Sequence, residues 1–175
     1  MIGRAQTGIE TAIAADLSFE GAIGVSVQNT SQETNAFATG PADSETNVDG
    51  LFNAQLTWLP RPSTQVLLSA SHWTGPNVLG QVESRTVFSA AFGQAINPLS
   101  NIWLRTDYTG QIPMVNLFDD GDTNYVRAAI DYDYRFCPDW IAQVSYRFAH
   151  SNDDDESASS NTLFLSAIYE TTILP

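Results

Sequence analysis

The sequence predicts an all-β chain, an antiparallel up-and-down meander of about nine strands. Three observations predict it. Apolar and polar residues alternate with a period of two in segment after segment, the pattern of a strand whose two faces meet different surroundings. No segment carries the 3.6-residue apolar stripe of a helix, and Gly, Pro, Thr and Asn recur throughout. The intervals between alternating segments are short and long by turns.

The first segment runs from Ile9 to Phe19. Ile9, Thr11, Ile13, Ala15, Leu17 and Phe19 share one face, and Glu10, Ala12, Ala14, Asp16 and Ser18 the other. Glu20-Gly21 reads as a turn, after which Ile23, Val25 and Val27 alternate with Ala22, Gly24 and Ser26. Phe52, Ala54, Leu56 and Trp58 then alternate with Asn53, Gln55 and Thr57. Segments 65–74, 86–96 and 101–112 continue the pattern less cleanly. Tyr125–Phe136 is the clearest strand, with Val126, Ala128, Ile130, Tyr132, Tyr134 and Phe136 on one face. Trp140, Ala142, Val144, Tyr146 and Phe148 follow, and 162–173 closes the chain.

Short connections fall near 20–21, 60–64, 97–100 and 137–139, and long ones near 29–49, 75–84, 112–123 and 150–161. An up-and-down barrel of the outer-membrane type has this arrangement, with tight turns at one rim and long loops at the other. Strands of about ten residues also suit a tilted crossing of the hydrocarbon layer. Three long connections, "NTSQETNAFATGPADSETNVDG", "LFDDGDTN" and "HSNDDDESASSN", are acidic and belong in water.

Composition narrows the function classes. The 175 residues, read as one domain over 1–175, carry a formal charge of −13, and all 7 basic residues are Arg. That balance argues against nucleic acid, which needs basic surface to displace counterions, and against polybasic attachment to anionic lipid. With 43% hydrophobic and 11% aromatic residues the chain is too apolar for disorder. Cys137 stands alone, with no partner for a disulfide or a metal set. No apolar run approaches the roughly 20 residues of a transmembrane helix, and "MIGRAQTGIE" lacks the features of a signal peptide. The chain is therefore expected to be cytoplasmic, a mature product, or a piece of something longer. Nucleophile triads, phosphate loops and metal-ligand spacings are absent, and His72 and His150 read as ordinary strand-end residues. No enzyme and no obligate cofactor is expected.

The charges decide which face is which. In "YVRAAIDYDYRFCPDWIAQVSYRF", Arg127, Asp131, Asp133, Arg135 and Arg147 all fall on one parity of their strands. A tight turn at 137–139 sets Asp131 near Ser145 and diagonal to Arg147, within cross-strand reach. Arg105 and Asp107 sit similarly on the preceding strand. One such charge facing lipid near mid-membrane costs roughly 2–4 kcal/mol, so these seven residues are assigned to the lumen. Trp58, Tyr132, Tyr134, Phe136, Trp140, Tyr146 and Phe148 then face outward, those near the turns forming an aromatic girdle. In a soluble sandwich the same alternation buries the aromatics and wets the charges. A wide barrel would use the opposed charges to line a channel, whereas a narrow one would pair them into a plug.

Calcium is a further candidate. The loop "FDDGDTN" offers Asp119, Asp120 and Asp122, and "SNDDDES" a second cluster, to an ion that takes six to eight oxygens. Neither has a complete EF-hand spacing, and a solvated acidic loop is the simpler explanation of both.

The stretches "FNAQLTWLPRPSTQVLLSASHW", "SRTVFSAAFGQAINPLSNIWLRTDY" and "VRAAIDYDYRFCPDWIAQVSYRFAHSN" resemble repeated hairpins of bacterial outer-membrane β-barrels. They are most similar to the porin-2-like barrels, including those that accompany exopolysaccharide export. The likeness spans roughly residues 50–170. It rests on a "W-x-P-x-x-x-T" turn (Trp58, Pro60, Thr64), an "R-T" strand start (Arg85, Thr86) and a late "Y-R-F…SN". It implies a Gram-negative outer membrane and a transport role. Many such barrels end in an aromatic residue, whereas "YETTILP" ends in proline.

The expected function is a porin-like channel, or a barrel subunit of an envelope complex, with a charged lumen. Its expected partners are the lipid bilayer, other envelope subunits and further barrel strands. Nine strands that start outside are an odd set for a bacterial barrel, so a C-terminal portion of a larger barrel is expected. Two alternatives stand beside it. One is a soluble periplasmic or secreted β-sandwich that binds carbohydrate or calcium through its loops. The other is a non-catalytic accessory subunit that packs its aromatic face on a protein.

Overall fold

The computed structural model describes residues 2–31, 44–76, 82–113, 122–153 and 156–170. Nine strands make one sheet: β1 (Ile2–Ala14), β2 (Leu17–Ser31), β3 (Ser44–Arg61), β4 (Thr64–Pro76), β5 (Val82–Asn97), β6 (Ser100–Pro113), β7 (Thr123–Cys137), β8 (Trp140–Asn152) and β9 (Ser157–Tyr169). Their order in space is their order in sequence, and every neighbouring pair is antiparallel. No helix occurs among the described residues. The meander is the one expected, and it is an open sheet with β1 and β9 at its edges.

Each short connection is a two-residue turn: Ala15-Asp16, Pro62-Ser63, Pro98-Leu99 and Pro138-Asp139. All four share one rim, and the strand ends that flank the longer connections share the other. The turns are sealed from outside the ladder, for example by Leu59 N–H donating to Asp16 O at 2.7 Å and Arg135 N–H to Leu99 O at 2.7 Å.

The first turn corrects the expectation at 20–21. Glu20 and Gly21 lie inside β2, opposite Glu10 and Ile9, and the chain reverses at Ala15-Asp16. A register shift between Ala12 and Ala14 carries parity through this turn as similar shifts do at the other three, but Ala15-Asp16 lacks the proline that marks those. A bulge adds one residue to one strand. Here it offsets the parity change of the turn, so odd residues stay on one face through the reversal. Gly21 has its own explanation. A Cβ there would lie 2.8 Å from the Phe19 ring, which folds back over the bare backbone. The Trp103 ring covers Gly93 likewise, 2.7 Å from where a Cβ would stand.

The last strand is displaced as well. Expected over 162–173, β9 begins at Ser157 and ends at Tyr169 because the connection from β8 is short.

The sheet curls. Arg4 on β1 donates from Nη2 to the Thr74 carbonyl on β4 at 2.6 Å. Strands three places apart in a flat sheet lie about 14 Å apart, beyond the reach of one side chain. The surface bearing Arg4 is therefore the concave one. Continuity of register puts Arg105, Arg127 and Asp131 on that same surface.

There is almost no apolar core. Among the described residues only Leu51 and Val82 are buried apolar side chains, while Ser26, Gln28, Thr74, Ser100, Asp131 and Ser145 are buried polar ones. The chain exposes 12295 Å² for its 19.1 kDa. A closed globular protein of that mass exposes about 8,400 Å².

Candidate functional site

The concave wall over β6, β7 and β8 collects the charges. Successive side chains of a strand point to opposite faces, so the register decides which of them meet. Arg105 on β6, Ala129 on β7, Arg147 on β8 and Thr162 on β9 form one row. Asp107, Arg127 and Ala149 form the row on the long-loop side. Trp103, Asp131 and Ser145 form the row on the turn side, and Asn101, Asp133, Gln143 and Ser166 the one below it. All seven charges assigned to one face from the sequence share this face.

Asp131 is the hub. It is 4% exposed, and its two oxygens are divided between neighbours. Oδ1 accepts the Ser145 hydroxyl at 2.5 Å, and Oδ2 forms an ion pair with Arg105 Nη1. The Arg105 guanidinium also stands 5.3 Å from the centre of the Trp103 ring. Arg105 thus bridges a buried carboxylate and an aromatic face, which its planar fork suits better than an ammonium would. The expected Ser145 neighbour is present, but the ion partner comes from β6 rather than from Arg147.

Arg147 turns instead to β9. Its guanidinium lies 4.9 Å from the centre of the Phe164 ring, a cation–π contact. Asp107 stands opposite Arg127 without closing to a salt bridge, and both are exposed or part-exposed. Asp133 accepts from Gln143 Nε2 at 2.8 Å. Arg135, at the turn rim, donates to Glu170 at 2.7 Å and to the Pro138 carbonyl at 2.6 Å. Between these groups is a cleft of about 500 Å³, lined by Arg105, Asp107, Arg127, Asp131, Arg147 and Phe164 among others. It offers water, or an ion, guanidinium donors and carboxylate acceptors a few ångströms apart.

The aromatic set occupies the convex face. Trp58, Tyr132, Tyr134, Phe136, Trp140 and Tyr146 are each more than a third exposed, and Phe148 is half-buried beside them. Near the turns, the Trp140 and Tyr169 rings meet at 5.1 Å, and Trp58 Nε1–H donates to Asp16 at 3.3 Å. A second band lies toward the long loops. There Tyr108 donates to Asn124 at 2.7 Å and Tyr146 to Asn161 at 2.6 Å. These rings keep an apolar body on the convex surface and a satisfied hydroxyl beside it, the pattern of amphipathic aromatics at a boundary.

One cluster escaped the alternation. On the long-loop side of the Phe52–His72 pair, the Asp49 carboxylate accepts from the Thr74 hydroxyl and lies 3.2 Å from His72 Nε2. The other ring nitrogen, Nδ1, is 2.8 Å from Thr86 Oγ1, and Ser84 Oγ is 3.3 Å from Nε2. His72 stacks on Phe52 with centroids 5.8 Å apart. The signal available in sequence was thin: a carboxylate before glycine in "VDG" and a histidine on an otherwise apolar parity. These contacts tie β3, β4 and β5 together.

Of the calcium candidates, Asp119 and Asp120 lie outside the described residues, and Asp122 is exposed. Among the described residues no group of three metal-ligating side chains comes together. Cys137 is exposed beside the last turn. No protein-family model, curated protein or solved structure matches the chain.

Proposed function

We propose that the chain forms part of the wall of a bacterial outer-membrane β-barrel, with its convex face in lipid and its charged concave face lining a porin-like, water-filled passage. The observation that carries this reading is the near-absence of an apolar core among the described residues of a curled, single-layered sheet. Large apolar side chains cover the convex face, from Ile23 (67% exposed) to Leu165 (76% exposed). Left in water, each costs about 1.5–3 kcal/mol relative to burial. A hydrocarbon layer removes that cost for all of them at once.

Several features support lipid over a second protein layer. On the convex face Trp58, Phe136, Trp140 and Tyr169 lie near the turn rim, as residues of an aromatic girdle would, with Tyr108 and Phe148 further toward the long loops. All the tight turns share one rim. The Arg105–Asp131 and Arg135–Glu170 ion pairs and the Ser145 hydroxyl occupy the concave side, where water would satisfy them. The likeness of the hairpins to porin-2-like barrels agrees with this reading. In it the function resides in the Arg and Asp rows, which would set the preference of the passage for one sign of ion. No catalytic step is invoked.

Two measurements test the reading. The chain should need detergent or bilayer to stay dispersed, and a monomer stable in plain buffer would exclude it. In planar bilayers Arg147→Asp should move the reversal potential toward cation preference in a salt gradient. An unchanged potential would remove Arg147 from the conducting path. Retention of the chain by a soluble protein that covers Tyr132 and Tyr146 would favour an accessory subunit instead.

A further inference from the structure

One ladder stops early. β3 pairs with β2 from Ser44 to Trp58, and β4 pairs with β5 from Thr64 to Pro76. On the long-loop side β3 and β4 pair with each other only as far as Phe52 opposite His72, although both strands continue beyond. In every other ladder the pairing on that side reaches the end of at least one strand.

The direction of the peptide groups identifies the missing bond. Leu59 N–H donates to Asp16 O, and Ala95 N–H donates to Ser63 O. Neighbouring residues of an antiparallel strand turn their peptide groups to opposite sides. Even residues of β3 therefore address β4, and even residues of β4 address β3. In the register that sets Phe52 opposite His72, the next such pair is Gly50 and Thr74. Gly50 N–H donates instead to Asp49 Oδ1 at 2.9 Å, and the Thr74 carbonyl accepts from Arg4 Nη2 at 2.6 Å. Both halves of the lost ladder bond are capped by side chains, which is what lets the ladder end there without an orphaned peptide group.

Side chains also span the gap. Asp49 Oδ2 accepts from the Thr74 hydroxyl and lies 3.2 Å from His72 Nε2, while Arg4 reaches Thr74 from β1. Among the described residues, these are the hydrogen bonds that join β1–β3 to β4 beyond Phe52 and His72. Each can break without disturbing a ladder, since Ser44–Leu51 stay paired to β2 and Trp73–Pro76 to β5.

We propose that this line is a gate in the wall. The long-loop halves of β3 and β4 part as two laddered leaves, β1–β3 and β4–β9, hinged where Phe52 meets His72. The contacts of Asp49 and Arg4 with Thr74 are its latch. Opening gives a solute on the concave side a way to the convex side that avoids the rim. The gate stands on the early end of one ladder and its capping, whatever covers the convex face.

The test places nitroxide pairs on the 175-residue chain in a Cys137→Ser background. Val48→Cys on β3 with Ile112→Cys on β6 spans the gap near the long-loop rim. Trp58→Cys with Leu104→Cys spans the same strands near the turns, and all four native side chains are exposed. The latch is removed by Asp49→Ala or, more conservatively, by Thr74→Val with Arg4→Met. Either should lengthen the first distance by about one strand spacing, roughly 5 Å, and leave the second unchanged. An unchanged first distance would overturn the proposal, because the clamp would then only stabilise a fixed wall. Equal lengthening of both pairs would mark general loosening and overturn it as well. The measurement is made in whichever medium, detergent or buffer, disperses the chain, so its outcome is separate from that of the membrane reading.

Discussion

The two arcs of the concave wall are built from different chemistry. Over β6 to β8 the wall is ionic: Arg105 is clamped to Asp131, Asp131 to Ser145, and Arg147 to the Phe164 ring. Over β1 to β4 the same face carries mostly small or neutral groups, among them Gln6, Ala22, Asn53, Gln55 and Ser69. Where that arc does carry charge, Glu10 and Glu20 face each other directly, both exposed. Like charges opposite one another are unfavourable and are tolerated only where water screens them. The ionic arc encloses a paired carboxylate at Asp131, and the other leaves its facing glutamates wet.

Breaking the ionic arc should have the largest effect. Arg105→Met leaves the Asp131 carboxylate, 6% exposed at its side chain, with the Ser145 hydroxyl alone. A loss of about 3 kcal/mol is expected in urea unfolding from micelles, because an unpaired charge remains enclosed. Adding Asp131→Leu to that variant should recover most of the loss, whereas Asn53→Ala on the neutral arc should cost under about 0.5 kcal/mol. Next comes the carboxylate clamp between β3 and β4. Asp49→Ala removes the acceptor of Thr74 and the neighbour of His72, and about 1–2 kcal/mol should disappear in the same assay. The smallest expected effect is of opposite sign. Glu20→Gln relieves the facing pair and should stabilise by roughly 0.2–1 kcal/mol, less as salt is added. A loss of stability there would show that the two glutamates are not in simple opposition.

The contrast also explains what was legible in the sequence. Period-two alternation and rim-by-rim loop length were enough for the strand count, the two faces and the shared parity of Arg105 through Arg147. Local spacing across the 137–139 turn was enough for the Asp131–Ser145 neighbour, since a two-residue turn leaves little freedom of register. Partners across longer connections were not legible. Arg105 meets Asp131, and Arg147 meets Phe164, only through the β6–β7 and β8–β9 registers, which no tight turn fixes. The first turn was hidden because Ala15-Asp16 lacks the proline that marks the other three, all of which carry the same parity-restoring register shift. The stretch from Ile2 to Gly8 was missed for another reason. Its convex residues, Gly3, Ala5 and Thr7, are too small to register as an apolar stripe.

Strand order identical to chain order has a last consequence, for how such a wall is made and remade. Every ladder joins immediate successors, so each hairpin can zip up on its own, and chain-closure entropy is met in small instalments. No strand has to wait for a distant one to arrive. By the same logic, duplicating or deleting one hairpin would change the width of the sheet by two strands and leave every remaining joint as it was.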